Sequence, residues 1–285
     1  MKRTGACLAL ALALGLAGNA AHAAGGNPAG GTASGTARSA LDLAAYRATY
    51  VLPLTYVTGL NRAPFGPQGR TFRNQEMEFQ LSLRFPVWSH PLGHRGTNLV
   101  FGYTQRAFWQ AYDRADSSPF RETDHEPQLL VETHTDFRWL GFRTRIVRVG
   151  LDHQSNGQAD PLSRSWNRVF AEFVAERGDF AISFRPWYRI PESAAADNNP
   201  DITHYLGYGQ FRVAFRGGRD EYTVMLRDNF NTGDNRGAIR LGWSFPLNQR
   251  LRGYVQFFDG YGESLIDYNV RVLRIGAGVM LSNWL

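Results

Sequence analysis

Cysteine and lysine are nearly missing from these 285 residues: Cys7 and Lys2 are the only ones. No run reaches the ~18 consecutive apolar residues that a membrane-spanning helix needs. Lys2 and Arg3 precede an apolar run from about Ala6 to Ala17, and Ala21-His22-Ala23 is a small-x-small site. That pattern reads as a secretory leader over residues 1–23. Cys7 lies too early for a lipoprotein attachment site. Cleavage after Ala23 would leave no thiol and no lysine. Disulfides, thiol chemistry and lysine Schiff bases are then excluded. The remaining 29 basic residues are all arginine, against 25 acids, for a net charge of +4. Mean hydropathy is -0.35, an ordinary soluble value. A 43% hydrophobic content is too high for disorder. Two exported classes remain: a soluble protein, or a β-barrel whose outward apolar residues alternate with inward polar ones and cancel in the average.

Residues 24–45 are rich in Gly, Ala, Ser and Thr and read as a flexible N-terminal segment, with a short helical turn over 41–45. From residue 46 to 285 the dominant period is two. Met77, Phe79, Leu81, Leu83, Phe85 and Val87 share one face, and Glu76, Glu78, Gln80, Ser82 and Arg84 the other. About twelve strands are predicted, near 46–59, 73–87, 97–112, 124–137, 142–154, 165–176, 179–190, 203–216, 220–230, 236–246, 250–259 and 269–284. Their connections alternate between short turns, such as 177–179 and 216–218, and long loops. A soluble sandwich would not alternate them systematically. The fold class is therefore all-β, an antiparallel transmembrane β-barrel of about 12 strands, with the long loops outside the cell. Val279, Leu281, Asn283 and Leu285, with Trp284 next to last, fit a terminal strand read by the outer-membrane assembly machinery. Inward residues such as Glu76, Arg84, Glu172 and Arg185 are expected to form a polar lumen network. The arginines then give no case for nucleic acid.

A few polar residues break the pattern. The parity of Val147, Val149 and Leu151 continues through His153 and Ser155. The parity of Val169, Ala171 and Phe173 includes Asn167. A Ser, a His and a polar orienter thus face lipid near the outer ends of neighbouring strands, where polar groups are costly and mark function. These are the parts of an acyl-transfer site: Ser155 as nucleophile, His153 as base, Asn167 holding the imidazole tautomer. Each residue alone also fits a turn, an interfacial histidine or a cap. Gln105 is a second misfit, in the face of Leu99, Phe101, Tyr103, Ala107 and Trp109, and points to a polar partner such as a second copy.

The run His153-Gln154-Ser155-Asn156-Gly157, Asp160-Pro161 and Ser163-Arg164-Ser165-Trp166-Asn167-Arg168 resembles the active-site segment of the outer-membrane phospholipase A family. Further matching runs lie around Phe79–Pro86, Tyr103–Gln110, Ser117–Leu129, Asn199–Thr203 and Gly260–Asn269. The resemblance extends from about residue 46 to the C-terminus. It implies a twelve-stranded barrel in the bacterial outer membrane that hydrolyses phospholipid acyl esters (A1, A2 and lysophospholipase activity), with the site toward the outer leaflet. It also implies the triad His153, Ser155, Asn167 and activation by reversible homodimerisation, with Gln105 at the interface. The implied calcium ligands are the Ser163 side chain, the Gln158 carbonyl and the Ser117 carbonyl from the partner, with Asp160 at an alternative position. A site with few charged ligands should bind Ca²⁺ weakly and lean on a partner. The alternative is a non-enzymatic barrel, a small pore or structural protein, which would keep its polar groups inside.

Overall fold

The computed structural model describes residues 47–281 apart from Ala115. The expected leader, the N-terminal segment up to residue 46 and the C-terminal Asn283, Trp284 and Leu285 lie outside the described residues.

Twelve main strands follow one another as β1 Tyr50–Thr58, β2 Gln75–Ser89, β3 Thr97–Trp109, β4 Phe120–His134, β5 Phe142–Ser155, β6 Ser165–Arg177, β7 Phe180–Ile190, β8 Gly209–Gly217, β9 Asp220–Asp228, β10 Gly237–Pro246, β11 Leu251–Gly260 and β12 Val272–Leu281. A two-residue ladder, Arg138–Trp139, lengthens the β4–β5 turn. Each strand pairs antiparallel with its chain neighbours, and β12 pairs back to β1 through Tyr50↔Met280 and Thr58↔Leu273. Every main strand therefore has two partners, which removes the free edges that invite aggregation.

Alternation decides which way each side chain points. On β5, Val149 and Leu151 stand outside and more than half exposed, while Arg148 and Asp152 are buried inside. A soluble protein could not leave so much apolar surface bare; a lipid-facing barrel requires it. Gly150 lies between those two inward residues because β4 passes too close for a side chain. A Cβ there would come within 2.5 Å of the Leu129 carbonyl oxygen.

The lumen is filled by charge pairs. Glu76 takes Arg121 and Arg274, Arg148 bridges Glu132 and Glu172, Arg185 reaches Asp152, and Arg84 reaches Glu132. The expected lumen network is therefore present. An apolar cluster sits toward the loop end: Trp166, Phe170, Trp187, Ile202, Leu206 and Leu265.

Two elements differ from the sequence expectation. The predicted strand 203–216 begins only at Gly209. Ile202–Leu206 is instead a helical turn that buries Ile202 and Leu206 in that cluster, and Gly207 at φ 68° ends it. The connection between β11 and β12, expected as an outer loop, folds into the barrel mouth. Glu263, Ser264, Leu265, Ile266 and Asp267 are all buried. Polar contacts hold it there: Arg121 Nη1 donates to Asp267 at 2.6 Å, and the Ile266 amide donates to Glu122 at 3.0 Å.

Candidate active site

His153 and Asn167 are cross-strand partners in the β5–β6 register. Directly opposed side chains start roughly 5 Å apart at Cβ, close enough for short polar groups to meet. Here His153 Nδ1 and Asn167 Oδ1 are 2.8 Å apart. An amide oxygen only accepts, so Nδ1 carries the proton and Nε2 keeps its lone pair. What fixes the amide itself is Glu192, in the β7–β8 loop. Its carboxylate oxygen accepts from Asn167 Nδ2 at 3.0 Å. Carboxylate, amide and imidazole thus form one directed chain, set in order by which atoms donate.

Ser155 ends β5, two residues beyond His153 and on the same outer face. Its register neighbours are His125 on β4 and Ser165 on β6. It is half-buried, His153 is exposed, and the next residue, Asn156, is buried. Among the described residues no hydrogen bond joins the Ser155 hydroxyl to His153; such contacts commonly tighten only around a substrate. The structure therefore brings Ser155, His153 and Asn167 onto one outward patch, and closes the hydrogen bond of one pair.

Asn156 organises the turn that follows. Its Nδ2 donates to the Leu162 carbonyl at 2.8 Å, and its Oδ1 accepts from the amides of Gln158 and Arg164 at 3.3 and 3.0 Å. Behind it, Nδ2 also lies 3.2 Å from Glu122. The 157–163 segment is thereby gathered over a single side chain. It carries Gln158 and Asp160, both exposed, and Ser163. Asn198 Nδ2 donates to Ser163 Oγ at 2.9 Å, and Asn198 Oδ1 accepts from the Ser165 amide at 3.0 Å. Hydroxyl, carbonyl and carboxylate oxygens are a hard donor set suited to Ca²⁺. Among the described residues no three His, Cys, Asp or Glu side chains converge as a metal cluster, so any ion here relies on such neutral oxygens.

Ser117 lies elsewhere, exposed on the β3–β4 loop. No hydrogen bond joins it to the 157–163 segment among the described residues. It takes φ 61° and Ser118 takes φ 51°, two successive left-handed conformations without glycine. Each costs of order 1–3 kcal/mol. The Ser118 amide, donating to Asp113 at 2.7 Å, and Trp109 Nε1, donating to the Ser118 carbonyl at 2.9 Å, hold them. Gln105 faces outward from β3, and the Tyr103 hydroxyl lies 3.3 Å from its Oε1 and 2.7 Å from His125 Nδ1.

Four neighbours of the patch escaped sequence reasoning as site residues: His125, Asn156, Glu192 and Asn198. Asn156 lay inside the run that carries the resemblance. The other three come from chain segments 25 or more residues away from the residues they meet, which only the folded barrel brings together.

The sequence profile of the phospholipase A1 family matches residues 31–281. Phospholipase A1 of Salmonella typhimurium is 45% identical over 213 residues, 74% of this chain and 71% of that protein. The structure of outer membrane phospholipase A from Escherichia coli superposes with a TM-score of 0.79 at 39% identity, covering 84% of this chain and 98% of that one. The Salmonella typhi outer membrane phospholipase dimer with bound calcium gives 0.79 at 41% identity, covering 84% and 91%. A match of this extent, on a closed twelve-stranded barrel, places the chain in the phospholipase A1 family of the bacterial outer membrane.

Proposed function

We propose that this enzyme hydrolyses phospholipid acyl esters (A1, A2 and lysophospholipase activity) through Ser155, His153 and Asn167 on its lipid-facing surface, with calcium bound beside them. The observation that carries the reading is the 2.8 Å contact between His153 Nδ1 and Asn167 Oδ1, on the outer face that Ser155 shares. A substrate held in the bilayer approaches that face directly. A pore would have no use for a directed hydrogen-bond chain outside its barrel, and family membership leaves no room for a non-enzymatic reading.

Ser155 Oγ attacks the ester carbonyl while His153 Nε2 takes its proton. The tetrahedral intermediate collapses, its C–O bond to glycerol breaks, and the imidazolium returns the proton to the leaving alkoxide. Water then repeats the sequence on the acyl-serine and releases the fatty acid. Asn167 keeps the imidazole in the reactive tautomer, and Glu192 keeps the amide. The Ser163 hydroxyl and Gln158 carbonyl would hold Ca²⁺, with Asp160 at an alternative position and the Ser117 carbonyl supplied by a second copy. When bound, the ion supplies positive charge where the oxyanion develops. The calcium in the Salmonella typhi dimer supports that assignment. Residues 1–23 act as the export leader, 24–45 as the N-terminal segment and 46–285 as the barrel. Its alternating last strand is delivered by the outer-membrane assembly machinery.

The test is product analysis on positionally labelled phospholipid in detergent, with Ca²⁺ or with a chelator. Fatty acid release should require Ca²⁺ and fall by several orders of magnitude in Ser155→Ala. Full activity in that folded variant would overturn the nucleophile, and release unaffected by chelation would overturn the metal.

A further inference from the structure

A cavity of ≈ 250 Å³ lies in the lumen, behind the active-site wall and beneath the inward-folded β11–β12 connection. Seven arginines and three acids line it. Four of the arginines are matched: Arg47 to Glu126, Arg84 to Glu132, Arg106 to Glu78, and Arg168 to Glu126 and Asp152. The lining acids are engaged as well. Glu126 has two of these arginines, Glu263 has Arg274 at 2.8 Å, and Asp124 accepts from the Leu265 amide at 3.2 Å.

Three guanidinium groups remain, on the adjacent strands β8, β9 and β10. Arg212, Arg227 and Arg240 form no salt bridge among the described residues. With the Gln210 amide turned to its hydrogen-bonding orientation, its oxygen accepts from Arg212 at 2.9 and 3.1 Å. Arg227 spends one nitrogen on the Tyr261 and Gly262 carbonyls, and its Nε is buried without a partner. Arg240 packs over the Phe258 ring, 5.3 Å from its centroid, and its Nε too is buried without a partner. Elsewhere in this lumen arginine is matched to carboxylate at hydrogen-bonding distance. The three side chains are half-buried; unmatched like charges around one space repel each other, and partly desolvating them without a counter-charge is costly. Guanidinium forks are shaped to grip tetrahedral oxyanions through paired N–H bonds.

We propose that this cavity is a binding site for a phosphate-type oxyanion, held by Arg212, Arg227 and Arg240. The space exceeds that of one inorganic phosphate, so a phosphate carrying a small polar substituent fits the same forks. Free phosphate and the glycerol 3-phosphate left by complete deacylation of phosphatidic acid share that chemistry.

The test is isothermal titration of the full-length barrel in zwitterionic detergent with inorganic phosphate, sn-glycerol 3-phosphate, or sodium chloride at matched ionic strength. Saturable binding of one equivalent of either phosphate, absent with chloride, is expected. The tighter of the two identifies the source. Arg240→Gln should weaken it by roughly tenfold or more, the loss of a charge-assisted contact, while Arg271→Gln, at an exposed ion pair with Asp259, should leave it unchanged. Arg240→Lys keeps the charge and should recover part of the affinity if Arg240→Gln folds poorly. Absence of saturable phosphate heat in the wild-type barrel, or equal heat from chloride, overturns the site. Equal weakening by Arg240→Gln and Arg271→Gln overturns its location. Because the readout is binding, the outcome is independent of whether Ser155 is the nucleophile.

Discussion

Asn167 is held from two sides, and only one of those sides belongs to the proposed triad. If Glu192 is lost, the amide can rotate and present Nδ2 to the imidazole. His153 Nδ1 must then give up its proton, and Nε2 becomes a donor unable to deprotonate Ser155. The penalty for that rotation in the intact site is the loss of a hydrogen bond to a charged acceptor, about 1.5–3 kcal/mol. Glu192→Ala is therefore expected to lower kcat about tenfold or more, with KM and the calcium requirement unchanged. Glu192→Gln retains an accepting oxygen and should keep most of the activity. Steady-state kinetics of both variants at saturating Ca²⁺ would check this; equal loss in the two would show that charge, rather than amide orientation, is what Glu192 provides. A contact from the β11–β12 connection has a different sensitivity. The Tyr268 hydroxyl donates to Asp201 at 2.6 Å. Burial first, and then that bond, push its phenol above the ordinary tyrosine range, so it stays a donor throughout neutral pH.

At the scale of the element, the strands were legible where one face was apolar and illegible where it was not. On β2 and β7 period two showed plainly. On β4 the inner face is Glu122, Asp124, Glu126, Gln128, Leu130 and Glu132. The outer face mixes Thr123, His125 and Pro127, so hydropathy barely alternates at the start of the strand. The sequence reading begins it at 124, whereas pairing with β3 begins at Phe120, beyond an irregularity at Phe108/Trp109. The turn Ile202–Leu206 was missed because five residues are too few to display a helical period. The shared outer face of His153, Ser155 and Asn167 was legible because parity on two consecutive strands fixes it; the positions of Glu192 and Asn198 were not, because loops carry no parity. Strand packing also yields a prediction at Gly150. Placing a side chain there drives Cβ to 2.5 Å from the Leu129 carbonyl and 2.6 Å from Leu130 Cβ. The β4–β5 ladder must then spread at the Leu130–Gly150 pair. Gly150→Val should cost about 1–3 kcal/mol, as overpacking does, read as a lower denaturant midpoint. A midpoint equal to the wild type would mean that the two strands are not held at this spacing.

For the whole molecule, the proposed function leaves the monomer incomplete in two separate ways. Gln105 is a glutamine in a lipid-facing stripe, with one contact from Tyr103 and donor groups still to satisfy. The oxygen set proposed for calcium on the 157–163 segment is short of ligands, while Ser117, held in a left-handed turn by its neighbours, is exposed on another loop. A second copy would satisfy both: its Gln105 would meet this one within the bilayer, and Ser117 of the partner subunit would reach this calcium site. Association and metal binding are then coupled, each raising the affinity for the other by the same factor. Sedimentation equilibrium in detergent is expected to show monomer in chelator and a rising dimer fraction with Ca²⁺ and a non-hydrolysable phospholipid analogue. Interhelical side-chain hydrogen bonds in membranes are worth about 0.6–2 kcal/mol, and a similar value for the Gln105 pair would make Gln105→Ala weaken the dimer roughly three- to thirtyfold. The same variant should shift the calcium dependence of activity to higher concentration, although Gln105 touches no ligand oxygen. A dimer fraction indifferent to Ca²⁺, or a Gln105→Ala variant with unchanged calcium dependence, would separate the two processes and place the whole metal site within one barrel.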